Sequence, residues 1–173
     1  MLLYHTSKEE IRHPDIRRGR KNADFGHGFY LTPDRDFTYR WARDNAVVNI
    51  YEFDEEGLDI HTFERDTDWF DYIFHNRRAT DKLDKDVITG PIANDTIFDT
   101  LGILSSGYVK PEDAIKLLMI GPCYTQYAIK TDKAAANLRF ISSEKITGTD
   151  PAILKQEQDQ YMRLFSEELN KIL

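Results

Sequence analysis

The spacing of hydrophobic and polar positions predicts several short strands spread along the chain. An apolar run opens the sequence, a glycine pair leads into an aromatic run, and later segments alternate apolar with polar side chains. Such alternation is typical of strands that bury one face of a sheet. The predicted strands cover residues 2–5, 28–32, 47–53, 87–88, 124–130 and 138–142.

Helical spacing of apolar residues separates these strands. The segment Thr32-Pro33-Asp34 predicts an N-terminal cap for a helix that continues to about Asn45. The clearest helix covers residues 150–172, and we expect one apolar stripe of it to pack on the rest of the domain. The other predicted helices cover residues 66–78, 94–104, 111–120 and 133–137.

Length and composition indicate one folded domain. Of the 173 residues, 40% are hydrophobic and 12% aromatic, which excludes a disordered or low-complexity chain. We expect a single domain over residues 1–173, with its core in residues 2–142 and the helix of residues 150–172 at its end. Because the strands come from distant parts of the chain, the predicted fold is α+β with two packed, mainly antiparallel sheets.

Charge and cysteine content narrow the class of protein. The net charge of −7 argues against general binding to a nucleic-acid backbone. Residues 12–21 are a basic exception within this acidic chain. This stretch is either a solvated loop or a cradle for an anion. The single cysteine, Cys123, excludes an internal disulfide and is expected to be a buried structural thiol. With no long apolar run and no signal-like start, the sequence predicts no membrane span and a cytoplasmic protein.

Several common sites are excluded by spacing. The five histidines do not pair at metal-ligand distances along the chain, so we expect no metal site. No phosphate-binding P-loop occurs, and Gly26-His27-Gly28 is too short for a dinucleotide-binding fingerprint. Three segments remain as candidates, namely His5-Thr6-Ser7, residues 24–32 and residues 124–129. Each alone has a structural explanation, as a core histidine, a turn and a strand.

The three segments resemble, in their order along the chain and in their residue types, the motifs of the ADP-ribosyltransferase superfamily, of the diphtheria-toxin and poly(ADP-ribose) polymerase type. That superfamily carries a His-Gly-Ser-like motif, a Gly-x-Gly-Ile/Phe-Tyr motif and a glutamate in a late strand. Here His5-Thr6-Ser7, residues 26–30 and Gln126 take those places, and Trp41 stands at the spacing of a second stacking aromatic. The chain resembles an uncharacterised bacterial domain family of this superfamily, of toxin type.

The resemblance implies a split pair of mainly antiparallel sheets with NAD⁺ bound in a cleft between them, as substrate and without a metal. His5, Tyr30 and Gln126 would be the catalytic set. His5 would hold the adenosine ribose, and Tyr30 and Trp41 would sandwich the nicotinamide. Further NAD⁺-binding positions would be Thr6, Ser7, Arg20 and Gly28, with Arg20 in a loop suited to the pyrophosphate and the glycine backbone close to the ligand.

Two departures from the motifs bear on activity. Thr6 replaces the glycine after the histidine, and Gln126 replaces the catalytic glutamate. A glutamine keeps a hydrogen bond but can neither carry charge nor take a proton. We therefore expect single transfer of ADP-ribose rather than chain elongation, and expect Gln126→Glu to equal or exceed the native rate of NAD⁺ cleavage. Asp95 and then Glu144 are the next candidates for a missing acidic group.

Three functions follow from this reading. The first is a mono-ADP-ribosyltransferase acting on a protein or nucleic-acid acceptor, as a bacterial toxin with a cognate antitoxin as candidate partner. NAD⁺ glycohydrolysis differs from it only in the use of water as acceptor. The second is a catalytically silent module that binds NAD⁺ or ADP-ribose, which Gln126 favours. The third is an interaction protein that makes contact through its C-terminal helix.

Overall fold

Two sheets form the centre of the computed structural model, which describes residues 1–93 and 109–173. The first sheet is antiparallel and has the order β1-β3-β7, and the second has the order β2-β6-β5-β4, in which only β4 and β5 run parallel. The predicted α+β fold with two mainly antiparallel sheets is thus confirmed. The strands are β1 Leu2–Ser7, β2 Phe29–Leu31, β3 Ala46–Phe53, β4 Ile60–Thr62, β5 Val87–Pro91, β6 Thr125–Ile129 and β7 Leu138–Ile146.

The second sheet is buried on both faces. Alternate residues of a strand point to opposite faces, so Ala128 and Ile129 of β6 belong to different clusters of buried side chains. The Ala128 cluster includes Phe25 and Trp69, and the Ile129 cluster includes Leu3 of the first sheet. The second cluster thereby packs the two sheets together, while the first packs helix residues on the outer face of the second sheet.

Local capping accounts for the helices. Asp66 accepts a hydrogen bond from the backbone nitrogen of Trp69 at 3.0 Å, and Asp150 accepts one from Ala152 at 2.8 Å. Both caps stand where the sequence predicts helix starts. The helices are α1 Arg35–Trp41, α2 Thr67–Asn76, α3 Pro111–Leu118, α4 Asp132–Ala136 and α5 Pro151–Ile172.

The structure corrects the first predicted helix. It begins after Asp34 rather than at a Thr32 cap, and it ends at Trp41 instead of continuing to about Asn45. Asn45 has φ 61°, a left-handed conformation that a helix does not allow and that asparagine tolerates, so the chain turns there into β3. The hydroxyl of Thr32 instead donates to the carbonyl oxygen of Thr125 at 2.7 Å and joins two strands of the second sheet.

Other predictions differ in detail. Cys123 is exposed, so the prediction of a buried thiol is wrong, because the residue follows a turn at Gly121 and precedes β6. The short strand β4 was not predicted. On α5 only Phe165 of the expected stripe is buried. The helix predicted at residues 94–104 lies outside the described residues.

A helix of this protein could span a membrane only if it were long and apolar enough. Within residues 1–93 and 109–173, no helix combines the length and apolarity needed to cross a bilayer.

Candidate functional site

A cleft opens where the edge strands of the two sheets meet. The backbone of β1 and the residue after β2 are joined by a two-bond bridge, in which Tyr4 and Thr32 exchange hydrogen bonds of 2.8 and 2.9 Å. Elsewhere β1 pairs with β3 and β2 pairs with β6, so the sheets diverge from this bridge. The divergence leaves a concave surface that is closed on one side by α1.

Five of the residues predicted for an NAD⁺ site line this cleft. Its free volume is about 60 Å³, below the roughly 300–1,000 Å³ usual for small-molecule sites. The five predicted residues are His5, Thr6, Tyr30, Trp41 and Gln126. The other lining residues are Tyr4, Leu31, Thr32, Phe37, Thr38 and Ile92.

His5 is held as a neutral hydrogen-bond acceptor. Its ring stacks on Phe29 with centroids 4.2 Å apart, and its Nδ1 lies 2.6 Å from the carbonyl oxygen of Tyr30. A carbonyl oxygen only accepts, so Nδ1 carries the hydrogen and donates. Burial lowers the pKa of His5 below its ordinary value, against the opposing effect of this hydrogen bond. Nε2 therefore has a lone pair that can accept a hydrogen bond from a sugar hydroxyl.

The hydroxyl of Tyr30 is used by the glycine loop before it. It donates to the carbonyl oxygen of Gly26 at 2.6 Å and accepts from the backbone nitrogen of Phe25 at 3.0 Å. Burial raises the pKa of Tyr30 above its ordinary value, so the hydroxyl stays protonated and continues to donate. With both hydrogen-bonding roles occupied, Tyr30 has only its ring to offer a ligand.

Gln126 is almost completely buried beside a carboxylate. It is 4% exposed, and it shares a face of β6 with Ala128, the residue paired with Tyr30. Its Nε2 lies 3.3 Å from Oδ2 of Asp24 and 3.4 Å from the carbonyl oxygen of Pro91. An ionised carboxylate and a carbonyl only accept, so the amide end that faces them must be the NH₂ group.

Asp24 is anchored from the end of α2. Arg77 donates to Oδ1 of Asp24 from Nε at 2.9 Å, and both side chains are 13% exposed. Asn76 donates from Nδ2 to the Asp24 carbonyl oxygen at 3.2 Å. The sequence marks residues 75–77 only as polar groups in helical surroundings, and the structure gives two of them this anchoring role. No spacing rule joins residue 24 to residues 77 and 126, so sequence reasoning did not find the contact.

Trp41 and Thr6 belong to the open side of the cleft. Trp41 ends α1 and is 57% exposed, with its ring centroid 5.0 Å from that of buried Phe37. Thr6, which stands where the superfamily motif has glycine, donates from its hydroxyl to the carbonyl oxygen of Thr38 at 3.4 Å. The extra side chain thus contacts α1 and narrows the cleft.

Ser7 and Gly28 are not among the lining residues. The Ser7 hydroxyl oxygen accepts from Asn49 Nδ2 at 3.2 Å and takes part in the turn after β1. A side chain on Gly28 would place its Cβ 2.7 Å from the carbonyl oxygen of Ile129. Close packing of backbone against backbone therefore accounts for this glycine, in place of the expected approach to a ligand.

Arg20 is also outside the lining, in the exposed basic loop. Its neighbour Arg17 forms ion pairs with Asp15 at 3.3 Å and Asp132 at 2.7 Å. Among the described residues Arg20 has no such acidic partner, and its side chain faces solvent. The loop is therefore partly neutralised, with Arg20 among its unpaired cations.

A buried ion pair supports the glycine loop. Lys130 Nζ lies 2.8 Å from Asp81 Oδ2 and also donates to the carbonyl oxygen of Phe25. Burial lowers the pKa of Lys130, although the pair with Asp81 opposes this. Gly26 has φ +73°, and a Cβ there would lie 2.7 Å from Asp81 Cβ. The pair and the glycine together hold the segment that carries Asp24.

The alternative acidic residues do not join the cleft. Glu144 lies on β7 and pairs with Arg35 at 2.6 Å, and it is not a lining residue. Asp95 lies outside the described residues. Among residues 1–93 and 109–173, no group of three or more metal-binding side chains is found.

Comparison with known proteins identifies a family. The family described as "Protein of unknown function (DUF3990)" matches residues 1–140, a range that includes every residue of the cleft. No curated protein and no solved structure matches the chain. Because the match covers most of its length, the chain belongs to the DUF3990 family.

Proposed function

We propose that the protein is a mono-ADP-ribosyltransferase that cleaves NAD⁺ at the nicotinamide glycosidic bond and transfers ADP-ribose to a macromolecular acceptor, as a bacterial toxin with a cognate antitoxin. One observation carries the proposal. His5, Tyr30 and Gln126, chosen from separate motifs of the sequence, line one cleft with Trp41. His5 lies on β1 of the first sheet, and Tyr30 and Gln126 lie on β2 and β6, paired strands of the second sheet. The three residues are far apart in sequence, so local sequence similarity alone would not bring them together.

The site offers suitable groups for several parts of NAD⁺, namely the nicotinamide, a ribose and the phosphates. The rings of Tyr30 and Trp41 can stack on nicotinamide, each contact contributing about 0.5–1.5 kcal/mol beyond the buried area. The Nε2 lone pair of His5 accepts from a ribose hydroxyl. Arg20 is exposed in the loop before β2, and its guanidinium is suited to pairing with a phosphate of NAD⁺.

The proposed reaction is a substitution at the anomeric carbon of the ribose. The bond from this carbon to the nicotinamide nitrogen breaks, and its electron pair leaves with nicotinamide, which becomes neutral. The positive charge passes to the ribose as an oxocarbenium ion. An acceptor nucleophile then bonds to the same carbon and releases one proton. A hydrogen bond from the ribose hydroxyl to Gln126 supports this charge without neutralising it, which suits an acceptor that is already nucleophilic.

A silent NAD⁺- or ADP-ribose-binding module is the second candidate. The observation in its favour is that Gln126 places an uncharged amide where a carboxylate would stabilise the oxocarbenium ion. NAD⁺ glycohydrolysis is the third, with water as the nucleophile.

Adenylate-labelled NAD⁺, incubated with purified protein and bacterial lysate, separates the candidates. Label on macromolecules indicates a transferase, free ADP-ribose a hydrolase, and intact bound NAD⁺ a silent module. Gln126→Ala should lower nicotinamide release by about 10²–10³-fold, as for loss of one preorganised transition-state hydrogen bond. Gln156→Ala, the same substitution at an exposed position of α5 that does not line the cleft, is the control and should leave nicotinamide release unchanged. Equal rates in the native protein and Gln126→Ala would remove Gln126 from the reaction.

A further inference from the structure

We propose that Asp24, held by Arg77, is a positioning residue of the cleft: it orients the amide of Gln126 so that Nε2 points into the protein and Oε1 faces the cleft as a hydrogen-bond acceptor. The inference rests on the proposed function, because it assigns Oε1 to a ribose hydroxyl of NAD⁺. It gives a role to Asp24, which opens the candidate segment of residues 24–32 but precedes the glycine–tyrosine motif at residues 26–30.

The donors of the Gln126 amide are fully used inside the protein. An amide NH₂ group has two hydrogens, and two acceptors meet it, Asp24 Oδ2 at 3.3 Å and the Pro91 carbonyl oxygen at 3.4 Å. The opposite atom, Oε1, accepts no hydrogen bond from the described residues, and Gln126 lines the cleft. The amide therefore presents an acceptor to the cleft, as one oxygen of a glutamate would.

Asp24 can hold this orientation because its two oxygens have separate partners. Oδ1 accepts from Arg77, and Oδ2 accepts from Gln126. In Asp24→Asn, the guanidinium of Arg77 would keep the remaining oxygen on its side. The new NH₂ group would then face the NH₂ group of Gln126, and two donors repel. Rotation of the Gln126 amide relieves this, but it turns a donor toward the cleft.

The same contact changes the expected effect of Gln126→Glu. A carboxylate at this position would face Asp24 and the Pro91 carbonyl oxygen with no hydrogen between them. Like charges this close oppose each other's ionisation. Where the sequence alone predicts a gain in NAD⁺ cleavage, the structure predicts a loss. The double variant Asp24→Asn/Gln126→Glu restores a donor facing an acceptor and keeps both size and net charge.

The test measures nicotinamide release by the native protein, both single variants and the double variant. Each single variant should lower kcat about 10²-fold while KM for NAD⁺ changes little, because the lost bond acts in the transition state. The kcat of the double variant should be at least about tenfold higher than that of Gln126→Glu, which is the size expected for one restored contact in a double-mutant cycle.

Asp86→Asn is the matched control for loss of a buried, paired carboxylate. The Asp86 side chain is 13% exposed, as that of Asp24 is, and pairs with Lys133 at 3.2 Å away from the cleft. Asp86→Asn should therefore release nicotinamide at nearly the native rate. A double variant no faster than Gln126→Glu would overturn the proposal, and this comparison holds even when Asp24→Asn alone fails to fold.

A second measurement does not depend on activity. In ¹⁵N spectra, the side-chain amide of Gln126 is identified by its disappearance in Gln126→Ala. Its hydrogens should exchange slowly with solvent in the native protein and rapidly in Asp24→Asn, where they face the cleft. Unchanged exchange in Asp24→Asn would overturn the proposal. A native protein that releases no nicotinamide but shows the expected change in exchange would refute the proposed function and support the positioning role of Asp24.

Discussion

Removing one oxygen atom from Tyr30 should lower the stability of the fold while leaving the affinity for NAD⁺ nearly unchanged. In Tyr30→Phe the ring remains, but the hydroxyl that joins the carbonyl of Gly26 to the N–H of Phe25 is lost. Phe25 is fully buried, so the loop has little access to replacement water. Each of the two backbone groups left without a partner costs about 1–3 kcal/mol, so we expect the free energy of unfolding to fall by about 2–6 kcal/mol.

Urea denaturation measures this loss, and thermal melting should show it as a fall in Tm of about 4–24 °C for a chain of this length. Tyr127→Phe is the matched control, on the neighbouring strand, because its hydroxyl contacts the side chains of Glu55, at 3.5 Å, and Thr89, and supports no buried backbone group. It should change stability by less than about 0.5 kcal/mol, as typical surface substitutions do.

Binding of NAD⁺ to folded Tyr30→Phe should stay within a few-fold of native, since the stacking ring is unchanged. Tyr30→Ala should weaken it by about 1–3 kcal/mol, because stacking and buried area are both lost. Calorimetry below the melting temperature makes the comparison. Loss of affinity in Tyr30→Phe equal to that in Tyr30→Ala would refute the assignment of binding to the ring, and native stability would refute the structural role of the hydroxyl.

Three further predictions follow from the site. Burial lowers the pKa of His5, so the stability that His5 contributes is complete above pH about 6.5 and is lost as the pH falls and the unfolded chain takes up the proton. Urea titrations from pH 8 to 5 should therefore show a smaller loss of stability in His5→Gln than in the native protein. An equal loss in both would contradict this. Lys130→Met leaves buried Asp81 without its cation and should cost about 3–5 kcal/mol in urea denaturation, with a near-native value contradicting the pair's role. NAD⁺ should quench the fluorescence of exposed Trp41 but not that of buried Trp69; quenching that persists in Trp41→Phe would exclude Trp41 from the site.

Sequence patterns that depend on neighbouring residues were sufficient to predict most of the strands and helices. The caps at Asp66 and Asp150 and the alternation in β3 and β6 act within a few residues, so strands and helices could be placed from the sequence. The first helix was overextended because Ala42 already has an extended backbone conformation that ends the helix at Trp41, and helical periodicity does not register a single backbone conformation. β4 was missed because its three residues pair only through β5, a contact made in the folded sheet.

By itself, the sequence determined which residues were candidates for a site, namely His5, Tyr30, Trp41 and Gln126, since motif order and spacing are written along the chain. The tertiary structure alone decided what surrounds them. Gln126 meets Asp24 across 102 positions of sequence, and Gly28 is needed for packing against Ile129. Such contacts depend on how two sheets and the end of α2 pack together, and no local period or propensity encodes that arrangement. The orientation of the Gln126 amide is therefore a property of the folded protein.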